Sequence, residues 1–238
     1  MSTPASRSST TSKLNQYGQR GVVVNFFFTA LSLPVLLASA DTLYWINGWV
    51  YFGFTVGYLV AYTLLLIRIN AKLLNERGKF LKEGTKPFDK VFAVVYLPLT
   101  YAILIISGLD AVRYGWSALP VWISLLGVAL TIPAYYVSLW AMAANSYFEC
   151  TARIQEGQQV CTSGPYRIIR HPGYAAGVVS VLAVPLILGS SWGLVPSIIL
   201  AAILVIRTGL EDRTLRKELP GYSEYIQLVR YRLLPFVW

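Results

Sequence analysis

Four long stretches of the chain contain no Lys, Arg, Asp or Glu, and each is close to or above the ~20 residues that a helix needs to cross a bilayer. They cover residues 22–40, 43–67, 91–109 and 119–144. Soluble domains carry roughly a quarter charged residues, whereas this chain has 13% charged and 55% hydrophobic residues. The sequence therefore predicts an all-α integral membrane protein, built as a polytopic helix bundle.

Two shorter apolar stretches follow, residues 174–188 and 192–206, with Gly189-Ser190-Ser191 between them. This pattern predicts a helical hairpin that enters and leaves the membrane on the same side. At ~1.5 Å per residue each arm reaches only ~22 Å unless the flanking residues are also helical. We therefore expect about five to six transmembrane helices, and the sequence leaves open whether the hairpin crosses the bilayer fully.

The basic residues predict the orientation of the chain. If residues 1–21 lie in the cytoplasm, every one of the 20 Lys and Arg residues except Arg113 falls in a cytoplasmic segment. This asymmetry is the positive-inside pattern, and it places both termini and the polar segment around His171 in the cytoplasm. The net charge of +9 then reflects topology and attraction to anionic membrane lipid, not nucleic-acid binding.

Polarity divides the chain into three regions. Residues 1–21 are rich in Ser and Thr and predict a flexible cytoplasmic tail, residues 22–144 contain the amino-terminal transmembrane helices, and nearly all remaining polar chemistry falls in residues 145–238. We therefore expect the functional region in 145–238. The two cysteines, Cys150 and Cys161, lie there without a second Cys or His cluster, which indicates neither a disulfide nor a metal site.

The single histidine, His171, lies in a polar and aromatic segment between two apolar stretches. Pro172 suits the first turn of a helix, so free backbone N–H groups are expected at this point, where carboxylates and phosphates bind readily. Arg170 and His171 would suit the carboxylate of a zwitterionic ligand, and Tyr166 and Tyr174 could stack on a planar base. A turn anchored at the membrane surface is the alternative, because Arg, His and Tyr are common there.

A second polar group follows the last apolar stretch. Arg207 and Glu211 are four residues apart and hence share one face of a helix, and Asp212 follows directly. A simple ion pair within the helix is the alternative explanation, although the order Arg before Glu is the less favourable one.

The carboxy-terminal half carries a series of motifs in a fixed order, namely Thr162-Ser163-Gly164-Pro165-Tyr166, Arg170-His171-Pro172-x-Tyr174, Arg207-x-x-x-Glu211-Asp212-x-x-Leu215, Gly221-Tyr222-x-x-Tyr225 and an Arg shortly before Pro235. This array resembles the membrane methyltransferases typified by isoprenylcysteine carboxyl methyltransferase, and phospholipid N-methyltransferases are similar. The resemblance covers about the last 90 residues of the chain.

The resemblance implies a cytoplasmic pocket for S-adenosyl-L-methionine that opens laterally towards lipid. It implies catalytic roles for Arg207 and Glu211 and places Arg207, Tyr222 and Tyr225 against the substrate, with Arg207 holding a carboxylate. The cofactor contacts that it implies are Gln158, Gln159, Val160, Cys161, Tyr166, Arg170, His171, Pro172, Gly173, Tyr174 and Glu211.

Several functions remain open at this stage. The first is carboxyl methylation of an isoprenylcysteine-like acceptor, a lipophilic small molecule or prenylated substrate, which Arg207 favours. The second is N-methylation of an ethanolamine phospholipid, in which Glu211 or Asp212 would take a proton. A transporter or a non-catalytic lipid-binding protein are further alternatives, although the four long spans lack the intramembrane charges that transporters commonly carry. Neither a nucleic-acid partner nor a metal is expected, and the oligomeric state is not indicated.

Overall fold

The protein is a bundle of long helices in a computed structural model, which describes residues 13–79 and 83–238. Every regular element in these residues is helical, which confirms the predicted fold class. The helices are α1 (Gln16–Ala40), α2 (Ile46–Ile69), α3 (Ala71–Arg77), α4 (Pro87–Gly108), α5 (Val121–Ala144), α6 (Pro172–Leu188), α7 (Leu194–Glu218) and α8 (Tyr222–Leu228), with a π turn at Leu109–Arg113 and a 3-10 turn at Gly164–Arg167.

Five of these helices, α1, α2, α4 with its π turn, α5 and α7, are long and apolar enough to cross a membrane, which supports the prediction of a multi-pass membrane protein. The predicted spans largely overlap these helices: α2 and α5 begin three and two residues after the predicted starts at 43 and 119, whereas α1 and α4 begin six and four residues before the predicted starts at 22 and 91. Helix α1 begins at Gln16, where the Asn15 side chain accepts hydrogen bonds from the first backbone N–H groups. The predicted boundary at residue 21 therefore falls inside α1, and residues 1–12 of the expected tail lie outside the described part.

The long helices run alternately up and down, so the start of α1, the connector α3 and the ends of α5 and α7 lie at one end of the bundle. Contacts between Asn15 and Asn75 and between Lys86 and Glu218 join these segments. The opposite end carries Arg113, next to Asp41. We call the first of these the site end and the second the far end.

The helices α6 and α7 form the predicted hairpin, and its tip lies at the far end of the bundle. Asp110 in the π turn is fully buried, and it accepts hydrogen bonds from the Ser190 hydroxyl at 2.6 Å and the Trp192 backbone N–H at 3.1 Å. Ser117, which precedes α5, donates to the same carboxylate at 2.7 Å. The tip is therefore level with the ends of the long helices, so the hairpin extends through the whole bundle. The flanking residues that the sequence left undecided are helical, up to Glu218.

Gly127 allows α5 and α6 to pack very closely. A Cβ atom at this position would lie 2.6 Å from the Ile187 backbone nitrogen and 3.0 Å from the Ala183 carbonyl oxygen. Gly57 on α2 is the opposite case, because a Cβ atom added there would have no neighbour within 4 Å among the described residues. The lack of a side chain at Gly127 therefore lets the backbones of α5 and α6 approach each other closely, as is common between membrane helices.

We expect Gly127→Ala to lower the free energy of unfolding by about 1–3 kcal/mol, because the added methyl group forces the backbones of α5 and α6 apart. Thermal unfolding in detergent, followed by circular dichroism, measures the loss. The matched control is Gly57→Ala, which adds the same group in open space and should leave the unfolding midpoint unchanged or slightly higher. Equal midpoints for the two variants would contradict the packing argument.

Candidate functional site

A cavity of about 1590 Å³ opens at the site end and continues between the long helices. All the site residues predicted from the sequence line it except Pro172, which is buried as the first residue of α6. The fold therefore brings together segments that are up to 67 positions apart in the sequence, from Gln158 to Tyr225. The prediction placed the pocket in the carboxy-terminal half alone, whereas residues of α1, α2, α3 and α4 form much of its wall.

Asp212 is the centre of a buried hydrogen-bonded group, and this residue is only 2% exposed. Its carboxylate accepts from the Arg170 Nη2 at 3.2 Å, from the Arg232 Nε at 2.9 Å and from the Tyr222 hydroxyl at 2.9 Å. The His171 Nε2 lies 3.1 Å from the same carboxylate. With four partners, Asp212 joins the start of α6 to α8 and to the segment that follows α8.

His171 lies inside the protein and not at its surface. Arg170 and His171 are each only 5% exposed. Their backbone N–H groups donate to the carbonyls of Tyr231 and Arg232, both at 2.9 Å. Arg170 and His171 are therefore not exposed anchors at a membrane surface, whereas Arg167 in the same segment is exposed.

Arg207 forms an ion pair with Asp89, a pairing that the sequence did not indicate. Its guanidinium binds the Asp89 carboxylate through Nε and Nη2, and Nη2 also donates to the Cys150 carbonyl at 2.7 Å. The rings of Phe92 and Tyr174 lie 4.3 and 5.1 Å from the guanidinium carbon. In the part of the chain that the structure describes, only Nη1 of this guanidinium makes no hydrogen bond. The cation is therefore neutralised and fixed in orientation.

The sequence contained one signal for Asp89. It follows Pro87 in the first turn of α4, where an acidic residue favours the helix dipole. This position explains an acid at a helix start, but it does not indicate that its partner is Arg207, 118 residues away.

Glu211 is placed differently from both of these carboxylates. Its Oε2 accepts a hydrogen bond of 2.5 Å from the Tyr174 hydroxyl. Within the described residues it has no ion pair, and the alternative of a simple Arg207–Glu211 pair is therefore excluded. Glu211 faces the cavity as a carboxylate with spare hydrogen-bonding capacity.

Tyr166, Tyr222 and Tyr225 are largely buried, and their hydroxyls bond within the protein. Tyr225 donates to the Tyr166 carbonyl at 2.7 Å, and the Tyr166 hydroxyl accepts from the Asn145 amide at 3.2 Å. Burial raises the pKa of all three phenols, and the negative charge of Asp212 raises the pKa of Tyr222 further. They are therefore uncharged at physiological pH, and their hydrogen bonds fix the wall of the cavity.

Residues 158–161 line the cavity in a segment without regular secondary structure. The Gln158 side chain accepts from the Gln155 N–H at 2.9 Å, and the Cys161 thiol donates to the Ala144 carbonyl at 3.3 Å. Among the described residues, the backbone N–H and C=O groups of Gln159 and Val160 make no hydrogen bond. These groups are available to a ligand. No group of metal-binding side chains occurs in the described part of the chain.

Residues 122–220 match the model of a family described as phospholipid methyltransferase. This match confirms, for that region, the resemblance to membrane methyltransferases inferred from the motifs. The uncharacterized protein YpbQ of Bacillus subtilis (strain 168) is 26% identical over 98 residues, which are 40% of this chain and 57% of that protein. The chain thus spans little more than half the length of this relative.

We expect Asp212→Asn to destabilise the protein by about 3 kcal/mol, because it leaves Arg170 and Arg232 buried or half-buried without a counter-charge. The midpoint of thermal unfolding in detergent measures this effect. Asp41→Asn is the matched control, since the Asp41 side chain is 74% exposed and lies 4.0 Å from Arg113. If both variants unfolded at the wild-type temperature, Asp212 would not have the central role described here.

Proposed function

We propose that this chain, whose residues 122–220 match the phospholipid methyltransferase family, transfers a methyl group from S-adenosyl-L-methionine to a lipophilic acceptor in the membrane. The observation that carries the proposal is the cavity itself. It joins the polar residues His171, Tyr174 and Glu211 at the site end to an apolar extension between the long helices. Such a shape suits a polar donor at one end and an acceptor with an apolar chain at the other.

The residues present fit the proposed cofactor. Gln159 and Val160 offer backbone groups that make no hydrogen bond in the described chain, and Glu211 offers a carboxylate for the hydroxyl or amino groups of the ligand. The N–H of Gly173, in the first turn of α6, is unbonded within the same residues and suits a carboxylate at a helix start. When bound, the cofactor supplies an electrophilic methyl group on a sulfonium centre.

The protein's own task in such a transfer is alignment. A methyl transfer of this kind is an in-line displacement, so the side chains must hold donor and acceptor at near-attack distance and exclude water. The hydrogen bond between Tyr174 on α6 and Glu211 on α7 fixes the two arms of the hairpin across the cavity. The Asp212 group holds the start of α6 in place behind them.

For the acceptor we place a carboxylate first, as in an isoprenylcysteine-like substrate. A carboxylate is ionised at neutral pH, so its methylation needs no general base. Arg207 is our proposed contact, because Asp89 orients its guanidinium and Nη1 remains open, among the described residues, for a further acceptor oxygen. Tyr222 and Tyr225 form part of the cavity wall, and we propose that they contact the substrate.

Methylation of an amine, as in an ethanolamine phospholipid, is the second candidate, and the lack of an ion pair at Glu211 within the described residues favours it. An amine must lose a proton before or during transfer, and a carboxylate without a counter-charge can take it. Of the two acids considered from the sequence, we assign this role to Glu211, because Asp212 is occupied by four hydrogen-bonding partners.

We also propose that the site end faces the cytoplasm. Arg113 is the only basic residue of the chain outside the segments assigned to this side, which is the positive-inside pattern. Anionic headgroups of the membrane would then be the lipid partners of the basic segment that includes Arg68 and Lys72. A transporter or a non-catalytic binding protein is less favoured, since neither accounts for the match to a methyltransferase family.

The first test is transfer of labelled methyl from S-adenosyl-L-methionine by the purified protein in mixed micelles. A farnesylcysteine analogue and phosphatidylethanolamine are offered separately. We expect label in the farnesylcysteine analogue that base releases as methanol, which identifies an ester. Base-stable label in the phospholipid would instead establish N-methylation. Absence of label in both, with intact cofactor binding, would contradict both acceptor classes.

The second test separates donor binding from acceptor binding. We expect Glu211→Gln to weaken cofactor binding by about tenfold or more, since it removes a charged acceptor of hydrogen bonds. Arg207→Lys should retain cofactor affinity but lower kcat/KM by about tenfold or more, because Lys cannot reproduce the planar geometry of the guanidinium. Isothermal titration and steady-state kinetics measure the two effects.

The control for Glu211→Gln is Glu218→Gln, which removes the same charge from the exposed end of α7. It should bind cofactor like the wild type. If Arg207→Lys lost cofactor affinity as strongly as Glu211→Gln, the proposed division of roles would be wrong.

A further inference from the structure

Arg77, the last residue of α3, lies in the wall of the cavity and is held there by neutral groups. Its Nε donates to the Tyr62 hydroxyl and its Nη1 to the Phe148 carbonyl, both at 3.0 Å. The rings of Tyr62 and Phe148 lie 5.5 and 5.6 Å from the guanidinium carbon. Nη2 makes no hydrogen bond to any residue in 13–79 or 83–238.

The other arginines that line or border the cavity at less than a third exposure have carboxylate partners. These pairs are Arg153 with Glu149 and Glu76, Arg170 and Arg232 with Asp212, and Arg207 with Asp89. Arg77 differs from them, because no carboxylate oxygen of the described residues lies within 4.0 Å of its guanidinium. It is therefore a cation that the described part of the cavity surrounds but does not neutralise.

A charge that is withdrawn from bulk water is destabilising unless a counter-charge or strong hydrogen bonds replace the lost hydration. Two neutral acceptors and two ring faces compensate Arg77 only in part. A guanidinium that is fixed in position and still has open N–H groups is well suited to a planar or tetrahedral anion. A ligand anion would supply the missing charge.

The position of Arg77 indicates which ligand carries this anion. Arg77 and Tyr62 precede residue 122 and thus lie outside the region that matches the methyltransferase family. Members of such a family share the methyl donor, so we expect the matched region to bind S-adenosyl-L-methionine. The helices outside this region can differ between proteins that use different methyl acceptors. The wall of the same cavity also includes apolar side chains of α1, α2 and α4, namely Phe28, Leu59 and Leu97.

We propose that Arg77 binds the anionic group of the methyl acceptor, a carboxylate or phosphate attached to an apolar chain that extends between α1, α2 and α4. This inference rests on the proposed function, because it assumes that the cavity receives a lipophilic acceptor. Arg77 is then a specificity-determining residue that selects acidic amphiphiles over neutral ones. Arg207, whose charge Asp89 neutralises, would orient the acceptor without supplying net attraction.

Equilibrium binding to the full chain in detergent tests the proposal without requiring turnover. Each of two pairs of probes compares an anion with a neutral counterpart that has the same apolar chain: N-acetyl-S-farnesylcysteine with its carboxamide, and dodecyl phosphate with dodecanol. We expect the wild type to prefer the anion by about tenfold or more in at least one pair. The pair that shows the preference identifies the anion as carboxylate or phosphate. Arg77→Gln should abolish this preference, and Arg77→Lys should keep part of it.

The matched control is Arg216→Gln, which removes one positive charge from an exposed position in the last turn of α7, at the same end of the bundle. It should bind all four probes like the wild type. A wild-type protein without any preference, or an Arg77→Gln variant that retains it, would overturn the proposal. An Arg77→Gln variant that lost affinity for S-adenosyl-L-methionine as strongly as for the anionic probes would also overturn the proposal, since Arg77 would then bind the methyl donor. Failure of methyl transfer with an intact anion preference would count against the proposed function and not against this one.

Discussion

The Asp212 carboxylate is the interaction on which the geometry of the site depends. It is buried near the end of α7, and its partners come from three other segments: Arg170 and His171 before α6, Tyr222 on α8, and Arg232 beyond it. A buried carboxylate with so many donors is stable only when all of them are in place. Apolar helices in lipid gain no hydrophobic driving force from packing against one another. The polar group therefore supplies the directionality that places the start of α6 against α7.

The pair formed by Arg207 and Asp89 has a comparable role between the two halves of the chain. Asp89 lies in the first turn of α4, and Arg207 lies on α7. The Asp89 carboxylate also accepts a hydrogen bond from the Ala152 N–H at 2.5 Å. The pair thus ties the loop before α6 to an amino-terminal helix. The amino-terminal helices are consequently part of the site and not merely its support in the membrane, and Arg77 extends this contribution.

The sequence predicted those features that depend on local pattern. Uncharged stretches of sufficient length predicted the long helices, and Pro172 predicted the start of α6, because both properties belong to contiguous residues. The ordered motifs also predicted which residues would meet at the cavity. The sequence did not predict the partners of Arg207 and Arg77, since these pairings depend on how the helices pack. Arg207 and Asp89, for example, are 118 residues apart. The role of the amino-terminal helices was missed for the same reason.

The hydrogen bonds of Asp110 at the far end restrict how the hairpin that carries Tyr174 and Glu211 can move. The tip of the hairpin is fastened to the π turn after α4, while the ion pair of Arg207 with Asp89 fastens the opposite end of α7 to the first turn of α4. A hairpin held at both ends can bend but cannot slide along the bundle. Membrane helices commonly respond to a bilayer of different thickness by tilting or shifting. Because both contacts hold the hairpin against α4, we expect the register of its two arms to change little with the thickness of the surrounding bilayer.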